Sequence, residues 1–143
     1  MGALAPGVNP VRFATKSLTF TGAANLGQAA TNATIFTVTG EITVVELVPF
    51  CTTEVTGAAS TVALGVTSST SLFVAATTAT TVDANQFWTS TTPSANGVAL
   101  PAALKEIVIT DNIIVASAVA DTTGGVIRFD LYWLPLSSNA AVT

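Results

Sequence analysis

Val126-Ile-Arg-Phe-Asp-Leu-Tyr-Trp-Leu134 is the stretch that decides the fold class. Ile127, Phe129, Leu131 and Trp133 alternate with Arg128, Asp130 and Tyr132. Successive side chains of a strand point to opposite faces, so this period of two predicts a β-strand laid with one face on a core. Ile127, Phe129, Leu131 and Trp133 are accordingly the core candidates. Pro135 ends the run, and Asp121-Thr-Thr-Gly-Gly125 before it is a turn.

Working outward, the same chemistry repeats. Ile113–Ala120 and Lys105–Ile109 read as strands separated by the tight turn at Asp111-Asn112, and Ala102–Glu106 as a single helical turn. Ser60–Val66 places Val62, Leu64 and Val66 on one face, and Ser71–Ala76 is its hairpin partner across Thr67–Thr70. Thr80–Val82 adds a short strand. Glu41–Cys51 is the longest apolar run and carries apolar residues at both parities. It predicts a central strand covered on both sides, bulged near Glu46 or Pro49. Thr34–Thr39 and Lys16–Phe20 complete the set. About eight strands with short connections and no amphipathic helix predict a single all-β domain, a jelly-roll-like β-sandwich. Its bounds are 15–136. Residues 1–14, with Pro6 and Pro10, read as an extended N-terminal arm, and 137–143 as a loose C-terminal tail.

Composition narrows the function. The 143 residues hold no histidine, one cysteine, four basic and eight acidic side chains, while half are hydrophobic. Mean hydropathy is +0.65. Charged residues make up 8%, against about a quarter in an ordinary soluble domain. Obligate interfaces are depleted in charge in this way, so much of the surface is expected to meet other protein. Arg12, Lys16, Lys105 and Arg128 are scattered in a chain of net charge −4, which argues against nucleic-acid binding. Residues 55–82 are uncharged, but Thr, Ser and Gly interrupt them as turn chemistry, so no membrane span is expected. The N-terminus lacks the basic and apolar regions of a secretion signal. Asn32-Ala33-Thr34 therefore reads as a chance match to the glycosylation sequon.

Catalytic material is scarce. A serine or cysteine nucleophile would lack its histidine base, and Cys51 beside Phe50 reads as a small buried hydrophobe. Glu41 and Glu46 fall on opposite faces of an ideal strand, as do Lys105 and Glu106. Gly124-Gly125 is a turn and not a phosphate cradle. Asp83-Ala84-Asn85 and Asp111-Asn112 offer oxygens to a cation, but the simpler reading is that they hold turns. No enzyme, metal or cofactor is expected. Phe87 and Trp88 lie in a polar region and, with Pro6 and Pro10, are the interface candidates. Trp88 is read as core or subunit interface, and alternatively as a platform that stacks on a sugar.

Several phrases resemble small virion proteins of tailed bacteriophages. They are Leu18-Thr-Phe-Thr-Gly-Ala-Ala-Asn-Leu-Gly27, Ile35-Phe-Thr-Val-Thr-Gly-Glu-Ile42, Thr81-Val-Asp-Ala-Asn-Gln-Phe-Trp88 and Gly125-Val-Ile-Arg-Phe-Asp-Leu-Tyr-Trp-Leu-Pro-Leu136. The resemblance is to capsid decoration (cement) or head-fibre proteins. It implies a β-sandwich, often a homotrimer, made in the host cytoplasm and seated on the major capsid protein at the virion surface. The competing expectations are a receptor- or carbohydrate-binding module of a phage fibre, and a tail component forming rings of six.

Overall fold

The computed structural model describes residues 10–143. Among the described residues eleven strands run in chain order: β1 (Arg12–Thr19), β2 (Thr31–Phe36), β3 (Val38–Thr39), β4 (Ile42–Thr56), β5 (Thr61–Val66), β6 (Ser69–Thr78), β7 (Gln86–Phe87), β8 (Lys105–Ile109), β9 (Ile113–Ala118), β10 (Gly124–Pro135) and β11 (Ala141–Val142). The protein is an all-β sandwich. The first sheet has the order β1-β10-β4, and β7 and β8 share the far edge of β4. The second has the order β2-β9-β5-β6, and β3 with β11 forms a small ribbon. All these pairings are antiparallel.

The alternation in β10 sets the packing. Ile127, Phe129 and Leu131 are wholly buried and Trp133 nearly so. They join Val44, Leu47, Cys51 and Val55 of β4 in one cluster with Val62, Leu64 and Val66 of β5 and Ile113 and Val115 of β9. Burying each large apolar side chain stabilises the fold by about 1.5–3 kcal/mol, so β10 is the main anchor of the first sheet.

β4 differs from the expected strand in an instructive way. It is central, between β10 on one edge and β7 and β8 on the other. Tyr132 pairs with Glu46 and Trp133 with Val44, leaving Val45 as the extra residue of a bulge. The bulge is thus beside Glu46 and not at Pro49. It explains the apolar residues at both parities, because it returns Leu47 to the core after Val44. β4 is covered on one side only, and Val48 and Phe50 stay half-exposed on the other. Pro49 is tolerated because its carbonyl accepts the Trp88 N–H at 3.0 Å, on the edge away from β10. In an antiparallel strand a residue's N and O face the same edge, so its missing N–H removes no bond to β10.

Three boundaries move. Arg12–Ala14 belong to β1, paired with Trp133, Tyr132 and Leu131, so the arm expected over 1–14 ends before Arg12. Residues 1–9, including Pro6, lie outside the described part. The tail over 137–143 is not loose: Ala141 and Val142 pair with Thr39 and Val38, and Thr143 and Thr37 exchange both backbone hydrogen bonds. Residues 79–81 form a one-turn 3-10 helix in place of a strand, closed by the Val82 N–H on the Ala79 carbonyl. Gly125, at φ +109°, opens β10 where a Cβ would sit 2.6 Å from the Val55 Cα. Only glycine allows β4 and β10 to approach so closely there.

Candidate interaction surface

The register of the first sheet assembles an outer face that no single segment reveals. One row runs Ser17, Arg128, Phe50, Phe87 across β1, β10, β4 and β7. The next holds Thr15, Asp130 and Val48. A third runs Phe13, Tyr132, Glu46, Lys105, ending on β8. A fourth holds Leu134, Thr43 and Val108. Phe13 is 54% exposed, Tyr132 39% and Val108 63%.

The aromatics are paired at two corners. The Phe13 and Tyr132 ring centroids are 5.0 Å apart, as are those of Phe50 and Phe87. Such tilted pairs have favourable quadrupole geometry. Arg128 lies beside the Phe50 corner. Its guanidinium lies 5.2 Å from the Phe50 ring, and its Nε donates to Asp130 Oδ2 at 3.1 Å. Asp130 Oδ1 accepts the Thr15 hydroxyl at 2.7 Å. Beside the Phe50 corner, Val48, Phe87, Gly97, Val98 and Leu100 line a shallow, mainly apolar cleft of about 210 Å³. The wall carrying Gly97 and Val98 is held to β7 by reciprocal backbone bonds between Phe87 and Ser94.

Of the interface candidates, Phe87 lies on this face, half-buried against Phe50. Pro10 is exposed just ahead of β1. For Trp88 the structure bears out the core reading and overturns its place as an interface candidate. It is wholly buried, its Nε1–H donates to Thr77 Oγ1 at 3.0 Å, and its backbone is tied to Pro49. It is a core residue that neither a subunit nor a sugar can reach, and the sugar-stacking reading loses the residue it rested on. Phe13, Phe50 and Tyr132 form the face without having been singled out in the sequence. The signal was present in the apolar residues of Glu41–Cys51 that one core face could not absorb.

Several polar side chains elsewhere are engaged in holding the fold. Asp111 accepts the backbone N–H and hydroxyl of Ser68, Asn112 Oδ1 accepts the Val38 N–H at 2.9 Å, and Gln86 Oε1 accepts the Asp83 N–H at 2.9 Å. These residues pin turns. Among the described residues, no group of three or more His, Cys, Asp or Glu side chains is placed to hold a metal ion. Cys51 is buried with Sγ 3.1 Å from the Thr53 carbonyl oxygen, and burial pushes its thiol up to about 11. A thiol so raised is a poor nucleophile at neutral pH. A second cleft, about 340 Å³, is lined by Arg12, Pro135, Leu136, Ser137, Ser138 and Ala140. The Ser137 hydroxyl there is already engaged by the Glu41 N–H and by Asn139. No helix among the described residues is long and apolar enough to cross a membrane. No family model, curated protein or solved structure matches the chain.

Proposed function

We propose that this chain is a non-enzymatic structural virion protein that decorates and stabilises a bacteriophage capsid through β-rich contacts, with other copies of itself and the major capsid protein as its partners. The observation that carries the reading is the outer face of the first sheet. It sets an exposed aromatic pair, Phe13 with Tyr132, and a half-buried one, Phe50 with Phe87, together with Val48 and Val108 around one ion pair, on strands whose opposite side is the core. Aromatic and arginine side chains held in place by their own fold lose little entropy when a partner covers them, which is the make-up of an interface core. The phage-like phrases lie on the same frame: Gly125–Leu136 contains most of β10, and Thr81–Trp88 contains β7. A decorating protein stabilises the shell by mass action, because it binds the assembled lattice and not the free subunits.

The test is localisation on particles. An antibody against the purified chain is applied to phage particles from a culture that produces the protein, and its position is read by electron microscopy. Regular labelling of the heads is the expected result. Label confined to fibres or tails, or absent from particles, overturns the decorating role.

A further inference from the structure

We infer that the outer face of the first sheet is covered by the same face of a second copy of this chain, in a two-fold, face-to-face contact. The inference rests on reading that face as a contact surface and names its occupant.

The face is self-complementary under a half-turn. In a two-fold contact, if one residue meets another, the second must also meet the first. Take the axis parallel to the strands, in the contact plane, along the seam between β10 and β4. A half-turn then lays β10 of one copy over β4 of the other while keeping every row at its own level. In the first row, Arg128 of each copy falls on Phe50 of its partner, repeating across the contact the cation–π approach that each copy makes internally at 5.2 Å. In the third row, Tyr132 falls on Glu46, so a phenol donor meets a carboxylate acceptor, and Phe13 falls on Lys105. Between them, Asp130 falls on Val48 while keeping Arg128 and Thr15 as its own partners. No row sets like charge on like charge.

The charge pattern also selects against other occupants. Arg128 is paired with Asp130, and Glu46 is the register partner of Lys105. A strongly acidic or basic partner would find no surplus of opposite charge here, whereas a second copy presents the same balanced set. Four strands about 4.8 Å apart and seven residues of about 3.4 Å rise give a patch on the order of 400 Å² in projection.

The experiment is the solution mass of the full chain, by light scattering after size exclusion over a wide concentration range. It is repeated for Phe13→Ser/Tyr132→Ser, for Arg128→Glu and for the control Ala116→Ser on the second sheet. Circular dichroism and thermal unfolding confirm that each variant is folded. A dimer is expected, weakened on the order of thirtyfold by the double substitution and by Arg128→Glu, as for central aromatic and arginine contacts, and unchanged by the control. A monomer at every concentration, a trimer, or a dimer indifferent to both face variants overturns the inference. The two readings fail separately. A monomer that labels phage heads leaves the decorating role standing, with the shell as occupant of the face. A dimer sensitive to the face variants but absent from particles leaves the two-fold contact standing without the decorating role.

Discussion

The two outer faces of the sandwich are built to different specifications on similar frames. The first sheet turns Phe13, Tyr132, Phe50 and Phe87 outward, with Arg128 and Asp130 between them. The second sheet carries no aromatic in its paired outer rows. Asn32 and Ala63 both pair with Ala116, and Thr34 and Gly65 both pair with Ile114. Both sheets spend their inward residues on a shared core, so the contrast does not arise from the needs of folding. Small side chains and hydroxyls cover the second face closely. Gly65 even lets the backbone of Ser69 and Thr70 fold against it, where any Cβ would collide. Among the described residues, one face is closed by small side chains and by backbone, and the other leaves large side chains partly exposed.

The largest effect is expected at the core that both sheets share. Trp88→Ala should cost about 3–5 kcal/mol of stability, since it empties a wholly buried site and leaves Thr77 Oγ1 without its donor. Chemical denaturation measures the loss, and a change under about 1 kcal/mol would contradict the burial of this side chain. Gly65→Val attacks the second face alone. It should cost about 3 kcal/mol, by forcing β5 and β6 apart at the hairpin. Phe13→Ser/Tyr132→Ser attacks the first face and should change monomer stability by only about 1 kcal/mol or less, because both rings are largely exposed. A large loss there would mean that the aromatic pair serves the fold and not a contact.

Cys51 gives a pH-dependent probe of the core beneath both faces. Its folded thiol titrates near 11, above the ordinary 9.0, so the buried neutral form is favoured. The associated stability is fully present below pH 9 and is lost as pH rises from about 9 through 11, where the unfolded chain ionises first. The loss should reach on the order of 2–3 kcal/mol. Cys51→Ala should remove that alkaline slope while lowering stability at neutral pH. An unchanged slope in the variant would place its origin elsewhere. The smallest effect concerns Val119. Ala120 N–H bonds the Ala118 carbonyl around Val119, which has φ +69° and is 77% exposed. A β-branched residue is strained in that left-handed conformation. Val119→Gly should therefore gain up to about 1 kcal/mol, visible as a raised Tm, and a lowered Tm would show that the strain is not there.

Much of the frame is legible in the sequence because period-two patterning is a local signal. β10, β5 and the β5–β6 hairpin can be read directly from it. Trp88 is misleading for a physical reason. It follows a two-residue strand, and its polar neighbours say nothing of Pro49 and Thr77, which fix its backbone and its indole. The short pairing of Val38–Thr39 with Ala141–Val142 is equally silent, since two-residue strands have no period to detect. The outer face is legible only in part. Its members come from β1, β4, β7, β8 and β10, and registers such as Phe13 with Tyr132 are set by turns and bulges far from either residue. The surplus apolar residues of Glu41–Cys51 betray a second apolar face, but pattern alone cannot tell a face buried within the chain from one left open.

The pairing of β1 with β10 also has a temporal consequence. Leu18 lies beside Ile127, over a hundred residues later in the chain. At roughly 5–20 residues per second of synthesis, β1 waits about 5–20 s after it is made before β10, its strand partner among the described residues, exists. Contacts so distant in sequence form late and slowly, and an unpaired strand edge is prone to wrong pairing in the interval. Through that wait, β1 carries Lys16 near its middle and hydroxyls at Thr15, Ser17 and Thr19, a polar strand well suited to staying in water until β10 arrives.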